Sequence, residues 1–521
     1  MYNYMFLTFH NTSRVISGLP FTLVFIACLY GIGYIVYSKV HPLGWWGWFD
    51  QGKYLTSSYA LLQHDLSPDK HFYPPLYPAI GAIFLRWSSS NPYYVPNLLC
   101  LLWFAFVFIR VSDRYIPRWG SLILFYGTTI INIRIFECYL IPWTTTLSVA
   151  FIATGILGLV WLQEIMDGKL LSIEVRHVLF VSTFLGLLVP TRPGDAIAVG
   201  GVLGLALISG YWYVRKNDFA SISKTSVLYL LIIICSAIGS ILFIAFNSAV
   251  FGTFYGGYLQ AATGNGFYIS DLAEKFVSIW LDASVLYNEP HTSLTERYPW
   301  LFISLAGMIW VLFKSDFLMR VLALSITTLY VLYMPYGDLL PNGLWRYYNI
   351  HYFKWTFPFL ALFGWILVKD LLFGIRLWKG WLIPSLVIIT IPTLLLSLQL
   401  NVSIKSTVMN YDARGINIKI ESSEVDFLDF DGLYGEFREI YFGNHRLLLD
   451  GRELKSVRDF RLLPINNGVR LLFIRPISGK SILFIPDIRL NRHDQLLRAY
   501  VGVYEIVIGF SKLLRNINEN I

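Results

Sequence analysis

Charge is what this chain has least of. Of its 521 residues only 14% are Asp, Glu, Lys or Arg, while 55% are hydrophobic. That balance excludes an ordinary soluble domain and reads as a polytopic membrane protein. Cysteine is scarce too: Cys28, Cys100, Cys138 and Cys235 lie in or beside apolar stretches. They form no C-x-x-C and no metal-ligand spacing, so they read as small buried residues. The net charge of +8 gathers into no basic cluster of nucleic-acid character. Much of it falls in short connectors, where it sets membrane topology, and nucleic acid is not expected as a partner. No Walker loop, G-x-G-x-x-G, H-E-x-x-H or Ser-His-Asp order stands in a supporting context. Asp429-Phe430-Asp431 has the letters of the D-x-D by which nucleotide-sugar enzymes hold a metal, but it stands alone in the C-terminal region. Nothing in the sequence calls for a cofactor or a metal. Internal repeats and low-complexity segments are absent. No small-residue cleavage site follows the first apolar run, Ile16 to Val36, so it reads as an anchor rather than a removable leader.

What is present is a series of apolar spans. About eleven helices of membrane length are expected, near 16–37, 93–110, 119–133, 143–162, 178–190, 195–213, 226–246, 298–314, 319–334, 353–372 and 380–399. The connectors alternate in character. One set is short and basic: Arg14; Arg110, Arg114 and Arg118; Lys169 and Arg176; Arg215, Lys216 and Lys224; Lys314 and Arg320; Lys369, Arg376 and Lys379. It reads as cytoplasmic. The other set, 38–92, 134–142, 247–297 and 335–352, is longer and aromatic and reads as extracytoplasmic. The N-terminus is then inside and, with an odd helix count, the C-terminus outside. From about Asn401 the pattern changes to alternating apolar segments separated by turns such as Asn466-Asn467-Gly468 and Ser478-Gly479. A small β-rich domain is expected over 401–521, with helical spacing from Asp494 to Leu514. Residues 1–400 form the transmembrane domain.

The first extracytoplasmic loop carries the strongest chemical signal. Three tryptophans and a phenylalanine precede Asp50, and Tyr54, Ser58 and Leu62 then fall on one helical face, with Tyr59 beside them. Turn signals at Ser67-Pro68 and Pro74-Pro75 separate this helix from a second apolar one, Leu76 to Trp87. Two aromatic-rimmed interfacial helices would hold Asp50 just outside the hydrocarbon. There its basicity would be raised by desolvation, as suits a general base.

Asp50, Tyr54, Ala60 and Tyr73-Pro74-Pro75-Leu76-Tyr77-Pro78 resemble the first extracytoplasmic loop of the GT-C membrane glycosyltransferases, the group of the protein O-mannosyltransferases and aminoarabinose transferases. Weaker echoes extend the resemblance to about Lys369. Thr191-Arg192-Pro193 resembles the family's T-R-P; an arginine at such depth needs a partner, which is either Asp195 or a lipid phosphate. Asn247 to Phe251-Gly252, followed by Gly257-Tyr258, resembles N-x-x-x-F-G and Gly-Tyr. Gly343-Leu344-Trp345-Arg346-Tyr347 resembles G-x-R-Y. The family's acid a few residues before a proline has its counterpart in Glu137, offset from Pro142; it binds an acceptor hydroxyl or pairs with Arg134.

The resemblance implies an all-α polytopic fold with interfacial helices, and a transferase that uses a polyprenyl-phosphate sugar on the outer face of the plasma (inner) membrane. Asp50 would deprotonate an acceptor hydroxyl, with Glu137 and Tyr54 as acceptor-side groups. Arg346, Lys354 or Arg192 would meet the donor phosphate, and His291, Tyr287 and Tyr347 are candidate substrate contacts. The acceptor expected is a cell-surface glycan or glycolipid of a bacterium, such as lipopolysaccharide or O-antigen. Protein O-glycosylation, polysaccharide polymerisation or ligation, and non-enzymatic transport of a lipid-linked glycan are the alternatives. A transporter should show paired repeats with broken helices, and no convincing pair is visible.

Overall fold

The computed structural model describes residues 12–40, 49–170, 174–216, 225–265, 272–282, 293–336, 344 and 346–374. In the C-terminal part it describes 398–406, 409–412, 415–419, 425–431, 446–454, 459–465, 468–479, 481–485 and 498–508. The chain divides into two compact units, one of residues 1–276 and 298–392, the other of 277–297 and 393–521.

The first unit is helical. Helices occupy ten of the eleven expected spans; of the eleventh, 380–399, only its last two residues are described, and they open a strand. Among the described residues, five helices are long and apolar enough to cross a membrane: Leu19–Val36, Tyr94–Ser112, Thr144–Met166, Pro193–Val214 and Ile233–Phe251. A sixth crossing is available if Arg118–Ile130 and Ile133–Leu140, bent by 74°, form one broken span. The bend falls at Asn132, whose side chain caps the second helix by accepting from the Ile135 N–H and is itself held by the Tyr298 hydroxyl at 2.9 Å. The expected connector 134–142 is therefore mostly a capped helix, which the apolar-span pattern alone does not show. Val175–Thr191, Trp300–Lys314 and Phe317–Tyr333 are apolar but shorter.

Thr144–Met166 lies at the centre, with 94% of its most apolar window buried. Small residues let its neighbours approach: a Cβ on Gly155 would meet Leu185 and Leu203, and one on Gly158 would meet Val181. Trp300–Lys314 and Thr356–Gly374 cross in the same way, Gly307 lying so near the Phe363 carbonyl that no side chain fits. The basic connectors meet one another. Arg110 and Arg114 both reach Glu164, at 2.6 and 3.4 Å, and Arg114 reaches Asp167. The Tyr115 hydroxyl donates to Asp316 at 2.7 Å, and Lys369 donates to the Tyr115 carbonyl.

The second unit carries two five-stranded antiparallel sheets. One runs, neighbour to neighbour, Leu398–Ser406, Arg498–Ile508, Val425–Asp431, Gly468–Ile477 and Phe460–Ile465; the other runs Met409–Asp412, Gly415–Lys419, Ser481–Ile485, Arg446–Leu449 and Arg452–Leu454. One turn follows the sequence expectation, and a second is seen only in the structure. Ile465 pairs with Gly468, the register of a two-residue hairpin across Asn466-Asn467. Asp450 and Gly451 adopt φ of 47° and 86°, the left-handed pair such hairpins require. Two readings are corrected. The first strand begins at Leu398, because Leu398, Leu400, Val402 and Ile404 alternate at period two. The helical spacing read from Asp494 to Leu514 is, over Arg498–Ile508, a strand rich in Val, Ile and Tyr that pairs on both sides.

Candidate active site

Asp50 occupies the first turn of the Phe49–Leu62 helix, where unsatisfied N–H groups favour a carboxylate. Of the face predicted from spacing, Tyr54 and Ser58 are buried and Leu62 is half-buried, while Tyr59, expected beside them, is exposed. The Ser58 hydroxyl lies 2.9 Å from the Tyr54 and Pro78 carbonyls and 2.7 Å from the Tyr93 hydroxyl. A Cβ at Gly81, on the Leu76–Leu85 helix, would collide with Ser58 and Tyr93, so the two short helices lock together there. Gln51 ties the same helix to the Pro142 carbonyl at 2.9 Å.

Asp50 accepts a short hydrogen bond from the Tyr73 hydroxyl. The Tyr73 ring is wedged between Tyr54, 4.5 Å away centroid to centroid, and Tyr258, 5.3 Å away. Tyr258 owes its position to a glycine turn. Asn247, at the end of a long helix, donates to the Phe254 carbonyl at 3.1 Å, and Gly256, at φ 63°, passes so close to Asn247 that a Cβ would strike its side chain. Burial holds the Tyr73 phenol far above its ordinary pKa, with Tyr54 and the Asp50 charge adding to it. Burial does the same to Tyr54, the Asp50 charge being the next cause. Both stay protonated and serve as donors.

Arg192 sits where Leu188–Thr191 ends and Pro193 restarts the helix. It is buried and fully engaged on one edge. Its Nε lies 3.2 Å from Asp195, and Nη2 donates to the Tyr333 hydroxyl at 2.7 Å. Tyr333 donates in turn to Asp195 at 2.9 Å, and Ser148 to the same carboxylate at 2.6 Å. The guanidinium carbon lies 4.5 Å from the centre of the Tyr352 ring. Of the two partners weighed for Arg192, the structure provides Asp195. Its Nη1 makes a long 3.5 Å contact to Thr144.

Thr144-Thr145-Thr146, opening the central helix, joins the two halves. Thr144 lies beside the Tyr54 side chain and is approached by Arg192. Thr145 lies 3.0 Å from His351 Nδ1, and Thr146 accepts from Lys354 at 2.6 Å. His351 stacks on Trp143 with centroids 4.0 Å apart. Burial, with the Arg192 and Lys354 charges, holds His351 well below the ordinary imidazole pKa, so it is neutral at pH 7.

The structure thus brings Asp50, Tyr54 and Arg192 into one network. Lys354 belongs to it through Thr146, but its ammonium is at 0% exposure and donates also to the Cys138 carbonyl at 2.7 Å, which makes it an internal strut. Glu137 neighbours Cys138 and is ion-paired with Arg134 at 3.1 Å, the second of the roles considered for it. Arg346 opens a short 3-10 helix, Arg346–Tyr352; its side chain and that of Tyr347 lie outside the described residues, as do Tyr287 and His291. Sequence reasoning did not single out Tyr73 on its own, Thr144 to Thr146, Ser148, Tyr333 or Tyr352. The run of three hydroxyls at a helix start was the one local signal for any of them. A scan against protein-family models finds no match to this chain, and a search of curated proteins finds no relative.

Proposed function

We propose that this chain is an integral-membrane glycosyltransferase of the GT-C type that moves a sugar from a polyprenyl-phosphate donor to a hydroxyl of a cell-surface glycan or glycolipid. The observation that carries this reading is a half-buried carboxylate, Asp50, braced by a tyrosine hydroxyl, with Tyr54 within electrostatic reach of both it and a buried arginine. In that chemistry Asp50 takes the acceptor's hydroxyl proton as its oxygen bonds to the anomeric carbon. The bond from that carbon to the phosphate oxygen breaks, its electron pair leaves with the phosphate, and the anomeric centre inverts. A cation must meet the leaving charge. Arg346 is our first choice, because a guanidinium fork binds two phosphate oxygens. Arg192 is the second, since Asp195 already offsets part of its charge. Extraction of the purified protein is expected to release a polyprenyl phosphate detectable by mass spectrometry, and Arg346→Ala should retain at least tenfold less. Parent protein devoid of such a lipid would count against the reading.

The same proposal holds eleven membrane spans, with the basic connectors cytoplasmic and residues 401–521 extracytoplasmic. Its support is that connectors carrying Arg110, Arg114, Asp316 and Lys369 contact one another, while aromatic connectors surround Asp50. Reporter fusions at Lys216 and Asn401 are expected to report opposite sides of the membrane; agreement between them would refute the arrangement.

A further inference from the structure

Tyr73 is placed with more restraint than a loop residue needs. Before it, His71 is bound on both ring nitrogens, by the Ser57 hydroxyl at 2.8 Å and by the Asp65 carbonyl at 2.8 Å. After it come Pro74 and Pro75, whose rings fix their own φ. Three aromatic rings pack on it: Phe72 at 4.9 Å, Tyr54 at 4.5 Å and Tyr258 at 5.3 Å. Its hydroxyl ends on one oxygen of Asp50. Rotamers locked by packing are what a reacting group's support requires.

We infer that Tyr73 is a positioning residue for the Asp50 carboxylate: by hydrogen bonding to one oxygen it fixes the orientation in which the carboxylate meets the acceptor. This inference rests on Asp50 being the base. The consequence has a definite sign. A donor to the charged form favours that form, so Tyr73 keeps Asp50 ionised to lower pH than an unbraced carboxylate in the same site. Among the described residues, ionisable groups facing Asp50 include Tyr73 from the loop and Tyr54 on its own helix. Tyr258 and Arg192 act on Tyr54 from the neighbouring elements.

The test reads the carboxyl directly and needs no substrate. Infrared titration of the protein in lipid nanodiscs follows the protonated-carboxyl band that is present in the parent and missing from Asp50→Asn. In Tyr73→Phe its midpoint should rise by about one pH unit, the size expected for one lost hydrogen bond to a charge. Fluorotyrosine at position 73 keeps the shape but is a stronger donor, and it should move the midpoint down. It decides the matter if the phenylalanine variant does not fold. Midpoints unchanged from the parent would overturn the role of Tyr73 even where Asp50→Asn is inactive. Normal sugar transfer by Asp50→Asn would instead overturn the assignment of Asp50 as the base, whatever the titration shows.

Discussion

Asp50→Asn is expected to abolish sugar transfer while leaving the fold standing. Proton abstraction by a placed base contributes about 10²- to 10⁴-fold to rate, so turnover should fall by roughly a thousandfold, or about 4 kcal/mol of transition-state stabilisation. The structural cost is small by comparison. Asparagine keeps the shape and an oxygen that accepts from Tyr73. The charge lost from the first turn of the Phe49–Leu62 helix is worth about 0.3–1 kcal/mol. Transfer from a labelled polyprenyl-phosphate sugar, measured beside thermal unfolding of the same preparation, separates the two effects. Turnover close to that of the parent would remove Asp50 from the mechanism. A large drop in unfolding temperature would mean that Asp50 had been misread as a reacting group when it is a structural one.

The second large effect concerns stability. Asp195→Ala strands Arg192 in a buried site, still charged, facing the Tyr333 and Thr144 hydroxyls and the Tyr352 ring but, among the described residues, no carboxylate. Removing one member of a buried ion pair costs about 3–5 kcal/mol, because the other remains desolvated and uncompensated. Replacing both, as Arg192→Met with Asp195→Leu, removes the stranded charge. Ser148 can then donate to a carbonyl of its own helix, and Tyr333 is left as one unpaired hydroxyl, at about 1–3 kcal/mol. The double variant should therefore unfold later than the single one. If the single variant is the more stable of the two, the pair is not the buried couple that its geometry describes.

Much of the helical unit was legible because its signal is local. Runs of apolar residues place ten helices to within a few positions, and the spacing of Tyr54 and Ser58 places the buried face beside Asp50. Arg192 and its partner Asp195 were legible for the same reason, being three residues apart across a proline. The remaining partners were not. Tyr333 meets Arg192 across 141 positions, and Lys354 meets Thr146 across 208. Nothing in a tyrosine's or threonine's neighbourhood says what it will face after folding. The bend at Asn132 was hidden because the second arm, Ile133–Leu140, carries Arg134 and Glu137, so the segment reads as one span followed by a connector. Arg498–Ile508 was misread because its valines and tyrosines satisfy helical and extended spacing alike, a known ambiguity of short apolar runs.

That strand also sets a timetable. It lies between Leu398–Ser406 and Val425–Asp431 and bonds to both, so the earliest strand of its sheet pairs with the last, Leu398 opposite Ile508. The two sheets are moreover interleaved along the chain, since Met409–Lys419 and Ser481–Ile485 belong to the other one. As the ribosome delivers this region, neither sheet can close until Ser481–Ile485 and Arg498–Ile508 have emerged. Until then Leu398–Ser406 and Val425–Asp431 present open edges to each other's neighbours and to other chains. A nascent chain stalled before Arg498 is an aggregation-prone species, a natural client for chaperones, and a frameshift late in the reading frame strikes the middle of the sheet instead of its border.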